Sequence, residues 1–457
     1  MRRWSDQRVA GTAGAQLLRA HPDGGAVDGP ARVVIDSREV APGDLFVGIP
    51  GERADGGSFA AGALAAGAWG VLVPPAWAEA ALAAEAGAVL VAEQPVAALG
   101  ALARAWRRDL AAHVIAVTGS VGKTSTKDLI AALLAPHRTV AASRENYNTE
   151  IGMPLEILRA PLGTEVLVLE AAMRGSGQIA ELAAICEPDV GVITNVGPVH
   201  LEQMGSLEGV AKAKAELLEG LYDGATAVVP SGERLLAPWL RDTLDVVTFG
   251  PGGDVTYEGP VPGARPPRQA IVASGERIEL ELPFDQAHNL LNTLAAVAAA
   301  RAVGVTPSGR LEVRFSGLRG ERVLLGTGAT VINDCYNANP LSMRAALDDL
   351  ATHETAGRRV AVLGDMLELG AAEDDHHRDV GAYAVIAGVD VLVTVGPRAA
   401  RMLDRYDGEG YAVADAGEAA AITAELLGAG DVLLVKGSRG VGLEVVAEAL
   451  AAGEPDA

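Results

Sequence analysis

Short apolar runs alternate with longer amphipathic stretches along most of the chain, the pattern of strands buried in a sheet between helices. Before residue 100, Val33-Val34-Ile35, the run 45–49 and the run 69–73 predict strands, and 58–68 predicts a helix. A helix is expected near 96–110, followed by an apolar run at 114–117 and a helical repeat of Leu129, Ile130, Leu133 and Leu134. The runs 166–170 and 190–195 predict further buried strands, and 269–274 with 277–282 flank a Gly-Glu turn as a hairpin. An Ala/Leu helix is expected over 288–303, stopped by Gly304. Beyond Phe315, the runs 330–332, 360–363, 389–395 and 432–435 predict strands separated by helices. The expected fold class is α/β in three domains. These are a small α/β unit over 1–96, a central parallel sheet with an added hairpin over 97–313, and a doubly wound, Rossmann-like unit over 314–457.

Candidate chemistry gathers first at Thr118-Gly-Ser-Val-Gly-Lys-Thr124, which joins a strand to a helix as a phosphate-binding loop does. Gly119 and Gly122 let backbone N–H groups turn toward phosphate oxygens, and the helix start adds its own free N–H groups and dipole. The run Gly119, Ser120, Val121, Gly122, Lys123, Thr124 and Ser125 is therefore the expected triphosphate contact. Lys123 can reach the outer phosphates, and the Thr124 hydroxyl can ligate Mg2+. A standard loop would need glycine where Val117 stands, so this is a shorter Gly-x-x-Gly-Lys-Thr form. The alternative is an ordinary glycine-containing strand–helix turn.

Composition narrows the choice of ligand. A net charge of −22 argues against wrapping nucleic acid, so an anionic substrate must be met by local cations. Only five of the 37 basic residues are Lys, at 123, 127, 212, 214 and 436. Against that arginine background a retained lysine hints at a need for a compact ammonium or a neutral amine, with composition drift as the alternative for Lys127. The two cysteines, Cys186 and Cys335, make no disulfide or zinc pattern. No run reads as a membrane span or signal peptide, so a cytoplasmic protein without membrane insertion is expected.

Several strand ends carry polar groups with open assignments. Glu170 can hold Mg2+, or it can face solvent or cap a helix. His200 can be a metal ligand, a phosphate contact or a structural histidine. Lys212 and Lys214 form a solvated basic face, or one of them points into the site. Asp334, within Asn333-Asp-Cys-Tyr-Asn-Ala-Asn-Pro340, can bind a ribose or a metal-bound water, or belong to an Asn-rich turn. Gly364-Asp365-Met366 and Lys436-Gly437-Ser438-Arg439 mark two further strand ends where ligands gather. His376-His377 reads as a polar helix surface.

Together these segments resemble the Mur ligase family over essentially the whole chain, and within it the members that add D-alanyl-D-alanine to a UDP-N-acetylmuramoyl tripeptide. The carriers are Asp36 to Phe59, Thr118 to Thr124, Asn146-Tyr-Asn-Thr-Glu-Ile-Gly152, Glu170, Asn195 to Glu202, Ala211-Lys-Ala-Lys214, Asn333 to Pro340, Gly364-Asp-Met-Leu-Glu-Leu-Gly370 and Lys436 to Arg439. The resemblance implies an ATP-dependent amide ligase, acting as a monomer through an acyl phosphate with two Mg2+ ions. It places Lys123, His200, Lys214 and Arg319 in catalysis. Thr124 and Glu170 would hold one Mg2+, and His200 the second, with Lys214 if it carries a carbamate. Asn289 would contact adenine, Asp334 the ribose, and Asn337 and Arg319 the nucleotide. Ser37 and Arg38 would hold the UDP end, and Asn146, Asn148, Lys436, Ser438 and Arg439 other parts of the substrates. Two departures stand out: Gln286-Ala287 replaces the usual Gly-Arg, and Cys335 replaces Ser or Ala. Rival readings are a Mur-type ligase for another amino acid, a phosphate-loop kinase or nucleotide switch, and a catalytically silent homologue.

Overall fold

The computed structural model describes residues 1, 3–22, 29–51, 54–144, 146–315, 317–318 and 320–452. Three sheets follow one another along the chain. The first has five strands and is parallel apart from the edge strand Gln16–Arg19, which runs antiparallel to Ala88–Val91. The second has ten. Its parallel part includes His113–Thr118 between Val166–Glu170 and Val190–Ile193, and the expected hairpin, Gln269–Ala273 with Glu276–Glu281, extends one edge. The third has six, all parallel except the edge strand Glu321–Leu324.

Helices cover both faces of the central sheet, which explains why its strands read as continuous apolar runs. Val114, Ile115, Ala116 and Val117 are all fully buried. On one face lie Lys123–Leu134 and Ala287–Ala302, packed on each other. On the other, Pro95–Leu110 packs against Asp6–Ala13 of the first unit and against Gly152–Arg159 and Gln178–Cys186 of the second. One apolar core therefore runs from Trp4, Leu45 and Trp69 through Leu99 and Trp106 to Leu169. Helix Pro340–Thr352 in the third unit starts with a reciprocal Asn339–Ser342 capping box and Pro340 in its first turn, both helix-start signals.

Two expectations change. The helix over 58–68 opens as a 3-10 turn, Gly56–Phe59, and is α-helical only over Ala60–Ala65. Gly57 lies against the Trp77 ring, where an added Cβ would come within 2.2 Å, and Gly67 takes a left-handed φ of +91° just beyond the end. His377 is not on a polar surface. On helix Glu373–Ile386 it shares the buried face with Val380, Gly381 and Ala384, while its Nε2 accepts the Met366 N–H at 2.9 Å. Its helical spacing from those small apolar residues outweighs the acidic residues beside it.

Cys186 and Cys335 are both free and buried, and burial pushes both thiols up to about 12, so neither is a nucleophile near neutral pH. Among the described residues no helix is long and apolar enough to cross a membrane.

Candidate active site

The carboxyl ends of strands from the second and third sheets open onto one cleft of about 1410 Å³. Small-ligand pockets usually measure ~300–1,000 Å³, so this space suits a nucleotide together with an extended second substrate. The second domain supplies Ser120 to Ser125, Asn146, Asn148, Glu170 and His200; the third supplies Asp334, Asn337, Lys436, Ser438 and Arg439.

The phosphate loop is shaped by the strand end beside it. Asn195 Oδ1 accepts the N–H groups of Ser120 and Val121 at 3.1 and 3.0 Å. Thr194 Oγ1 donates to the Val121 carbonyl at 2.6 Å. Two of the expected phosphate donors are thus engaged within the protein. The start of helix Lys123–Leu134 has a Gly122 cap with a φ of +78° and no side-chain cap, and its first-turn residues Lys123, Thr124 and Ser125 line the cleft, an arrangement that can receive an anion. Lys123 Nζ donates to the Gly119 carbonyl at 3.0 Å.

Behind the loop, the Thr124 hydroxyl donates to Glu170 Oε2 at 2.6 Å and Asn148 Nδ2 donates to Oε1 at 2.9 Å. Glu170 is therefore buried at its strand end and does not face solvent. Lys214 is 2% exposed and Lys212 is exposed, which separates the two lysines that sequence left together. Burial holds the Lys214 amine well below the ordinary lysine range, and the like charge of Lys123 adds to the effect. His200 has a left-handed φ of 52°, and its Nδ1 lies 2.5 Å from Glu368 Oε2 of the third domain. Burial lowers the His200 pKa, and Glu368 opposes that shift.

On the third-domain side, Lys436 is 2% exposed and its Nζ donates to Asp334 Oδ2 at 2.5 Å and to the Asn337 carbonyl at 3.0 Å. Ser438 Oγ accepts the Leu367 N–H at 3.0 Å. These two expected substrate contacts are occupied in holding the turns that carry Asp334 and Glu368. Arg439 is exposed at the cleft, 5.7 Å from the centroid of the Tyr336 ring, and the Tyr336 hydroxyl donates to Asn146 Oδ1 across the domains. Asn289 lines the cleft at the start of helix Ala287–Ala302. Asp365 accepts the N–H groups of Arg398 and Ala399, so this strand-end carboxylate caps a turn. Ser37 and Arg38 do not line the cleft: they sit in the turn Ser37–Glu39, where Arg38 pairs with Asp36 at 2.5 Å. Arg319 lies outside the described residues.

The roles of Thr194, Asn195, Tyr336 and Glu368 were not assigned from sequence. Asn195, Tyr336 and Glu368 lie inside the motifs quoted above and Thr194 at the end of an expected strand, but their partners are remote in the chain.

Comparison with known proteins gives the arrangement its family. Residues 31–107 match the Mur ligase family catalytic domain, 117–300 the Mur ligase middle domain, and 309–439 the Mur ligase glutamate ligase domain. A UDP-N-acetylmuramoyl-tripeptide--D-alanyl-D-alanine ligase of Mycobacterium tuberculosis is 38% identical over 474 residues, covering 92% of each chain. The chain belongs to the Mur ligase family. The Bacillus subtilis ligase of the same name is 33% identical, again over 92% of each chain. Among solved Mur ligases, MurF from Acinetobacter baumannii superimposes with a TM-score of 0.86 at 28% identity, covering 98% of both chains. MurF from Thermotoga maritima in complex with ADP gives 0.80 at 29%, covering 92% of this chain and 97% of that one. The three-domain α/β expectation holds, and membership of the Mur ligases removes the phosphate-loop kinase and nucleotide-switch readings.

Proposed function

We propose that this Mur ligase joins D-alanyl-D-alanine to UDP-N-acetylmuramoyl-tripeptide at the expense of ATP, as a cytoplasmic monomer in peptidoglycan precursor synthesis. The observation that carries the reading is a phosphate loop, Lys123-Thr124, facing a third-domain rim of Asp334, Asn337 and Arg439 across one cleft. Support for the acceptor comes from curated relatives that bear that activity in their names and match over 92% of the chain.

A carboxylate oxygen of the tripeptide attacks the γ-phosphorus and the bond to ADP breaks, giving an acyl phosphate. The amine of D-Ala-D-Ala then attacks the acyl carbon and loses a proton, and phosphate leaves as the amide forms. Catalysis is mostly positioning and charge neutralisation. Lys123 stabilises the moving phosphoryl group, first-turn N–H groups hold the β- and γ-phosphates, and Asn289 and Asp334 hold adenosine. Lys436 keeps Asp334 fixed and neutralised.

Mg2+ fits the donors present. Thr124 and Glu170 offer a hydroxyl and a buried carboxylate at the loop, the hard oxygen set this ion takes alongside substrate phosphates. Among the described residues no cluster of three or more His, Cys, Asp or Glu side chains is arranged to hold a metal, here or elsewhere, so substrate phosphates and water would complete the ion's shell. When bound, Mg2+ neutralises phosphate charge. His200 and a carbamate on Lys214 would complete a second position, and the lowered amine pKa supports the carbamate, which forms only on neutral lysine. Incubation with 13C-bicarbonate is expected to give a protein-bound carbamate resonance that Lys214→Met lacks. An unmodified amine in active, Mg2+-loaded enzyme would sink that assignment.

The functional reading is tested by phosphate release from ATP, Mg2+ and the tripeptide precursor while the amine is varied. Release that depends on D-Ala-D-Ala is expected; release with a single amino acid instead would overturn it.

A further inference from the structure

The Thr124–Glu170 pair is held from behind by contacts that begin at Lys127. Lys127 lies one turn beyond Thr124 on helix Lys123–Leu134 and is only 3% exposed. Its Nζ donates to the Ser143 carbonyl at 2.7 Å and pairs with Asp128 Oδ1 at 2.7 Å. Ser143 is 2% exposed, and its Oγ accepts the backbone N–H of Glu170 at 3.1 Å. The same helix therefore grips Glu170 twice: at the carboxylate through Thr124, and at the main chain through Lys127 and Ser143.

Lysine is rare here, with five among 37 basic residues, and Lys127 lines neither the cleft nor the surface. An ammonium on a slender stem can meet a carbonyl and a carboxylate in a narrow buried space, where a planar guanidinium needs more room. That geometry accounts for a lysine that composition drift would otherwise explain. We propose that Lys127, acting through Ser143, is a positioning residue that fixes Glu170 for the divalent cation. The inference rests on the assignment of Glu170 to Mg2+ above.

The test is binding of a fluorescent ADP analogue to the full chain, with EDTA and with Mg2+, so that the readout is the gain in affinity Mg2+ brings. Ser143→Ala removes the Oγ but leaves the carbonyl that Lys127 needs and strands no charge, so it carries the test even if Lys127→Met, which takes the ammonium away from Asp128, does not fold. Each folded variant is expected to keep its Mg2+-free affinity and to lose roughly tenfold of the Mg2+ gain, the usual scale for an outer partner of a metal ligand. Glu170→Gln is expected to lose the gain altogether. If Glu170→Gln keeps it, the assignment of Glu170 fails. If Glu170→Gln loses it while Ser143→Ala keeps it in full, the inference about Lys127 fails alone. Equal losses with and without Mg2+ also overturn it, because they report general loosening of the loop.

Discussion

Replacing Lys123 with Met lowers kcat/KM for phosphate release by roughly 10³-fold, the scale for losing a preorganised cation or donor at a charged transition state. The melting temperature should move by no more than about 2 °C. Two features separate these readouts. Lys123 is partly exposed at the helix start, and its ammonium donates to a loop carbonyl, Gly119 O. The methionine stem keeps most of the packing. Lys123→Arg should not restore activity, since a planar fork does not replace a compact point charge. Steady-state phosphate release and a thermal melt on each variant check both parts.

Gly119→Ala should be nearly as damaging, for a steric reason. An added Cβ would lie 1.8 Å from Thr194 Oγ1 and 3.2 Å from the Thr194 backbone nitrogen. The threonine cannot swing aside freely, because the same hydroxyl anchors the Val121 carbonyl. Gly119 also has a φ of +152°, which a side chain disfavours by about 1–3 kcal/mol. The loop must then shift, and a displacement of ~1 Å at a reacting centre costs about 10²-fold in rate. The expected result is a higher KM for ATP and a kcat/KM about 10²-fold lower, with a melting temperature several degrees lower. Gly62→Ala, where an added Cβ meets nothing within 4 Å, should leave turnover unchanged.

The sequence is most informative where neighbours in the chain are neighbours in space. The residues from Gly119 to Thr124 form one turn, so their order alone announces an anion site. The apolar runs at 166–170, 190–193 and 432–435 announce strands because helices cover those sheets and every position of these runs is buried. A motif does not reveal whether its polar atoms face a ligand or are used within the protein. Asp365, Lys436 and Ser438 sit at strand ends in recognisable motifs, yet their hydrogen bonds hold turns in place. Asn195 stands 74 residues from Val121, and Glu368 stands 168 from His200. Such partners are set by sheet order and by the packing of two domains, and short-range spacing carries no record of them. Lys127 is the clearest case: its rarity was visible, but its link to Glu170 runs through Ser143, just past the strand Val140–Ala142.

The central claim is that phosphate passes to a carboxylate and not to water. The most direct measurement labels the acceptor carboxylate of the tripeptide precursor with 18O and follows the released phosphate by mass spectrometry. An acyl phosphate requires one carboxylate oxygen to leave with phosphorus, so the account predicts one 18O per phosphate formed with D-Ala-D-Ala present. Unlabelled phosphate released in step with product would contradict it.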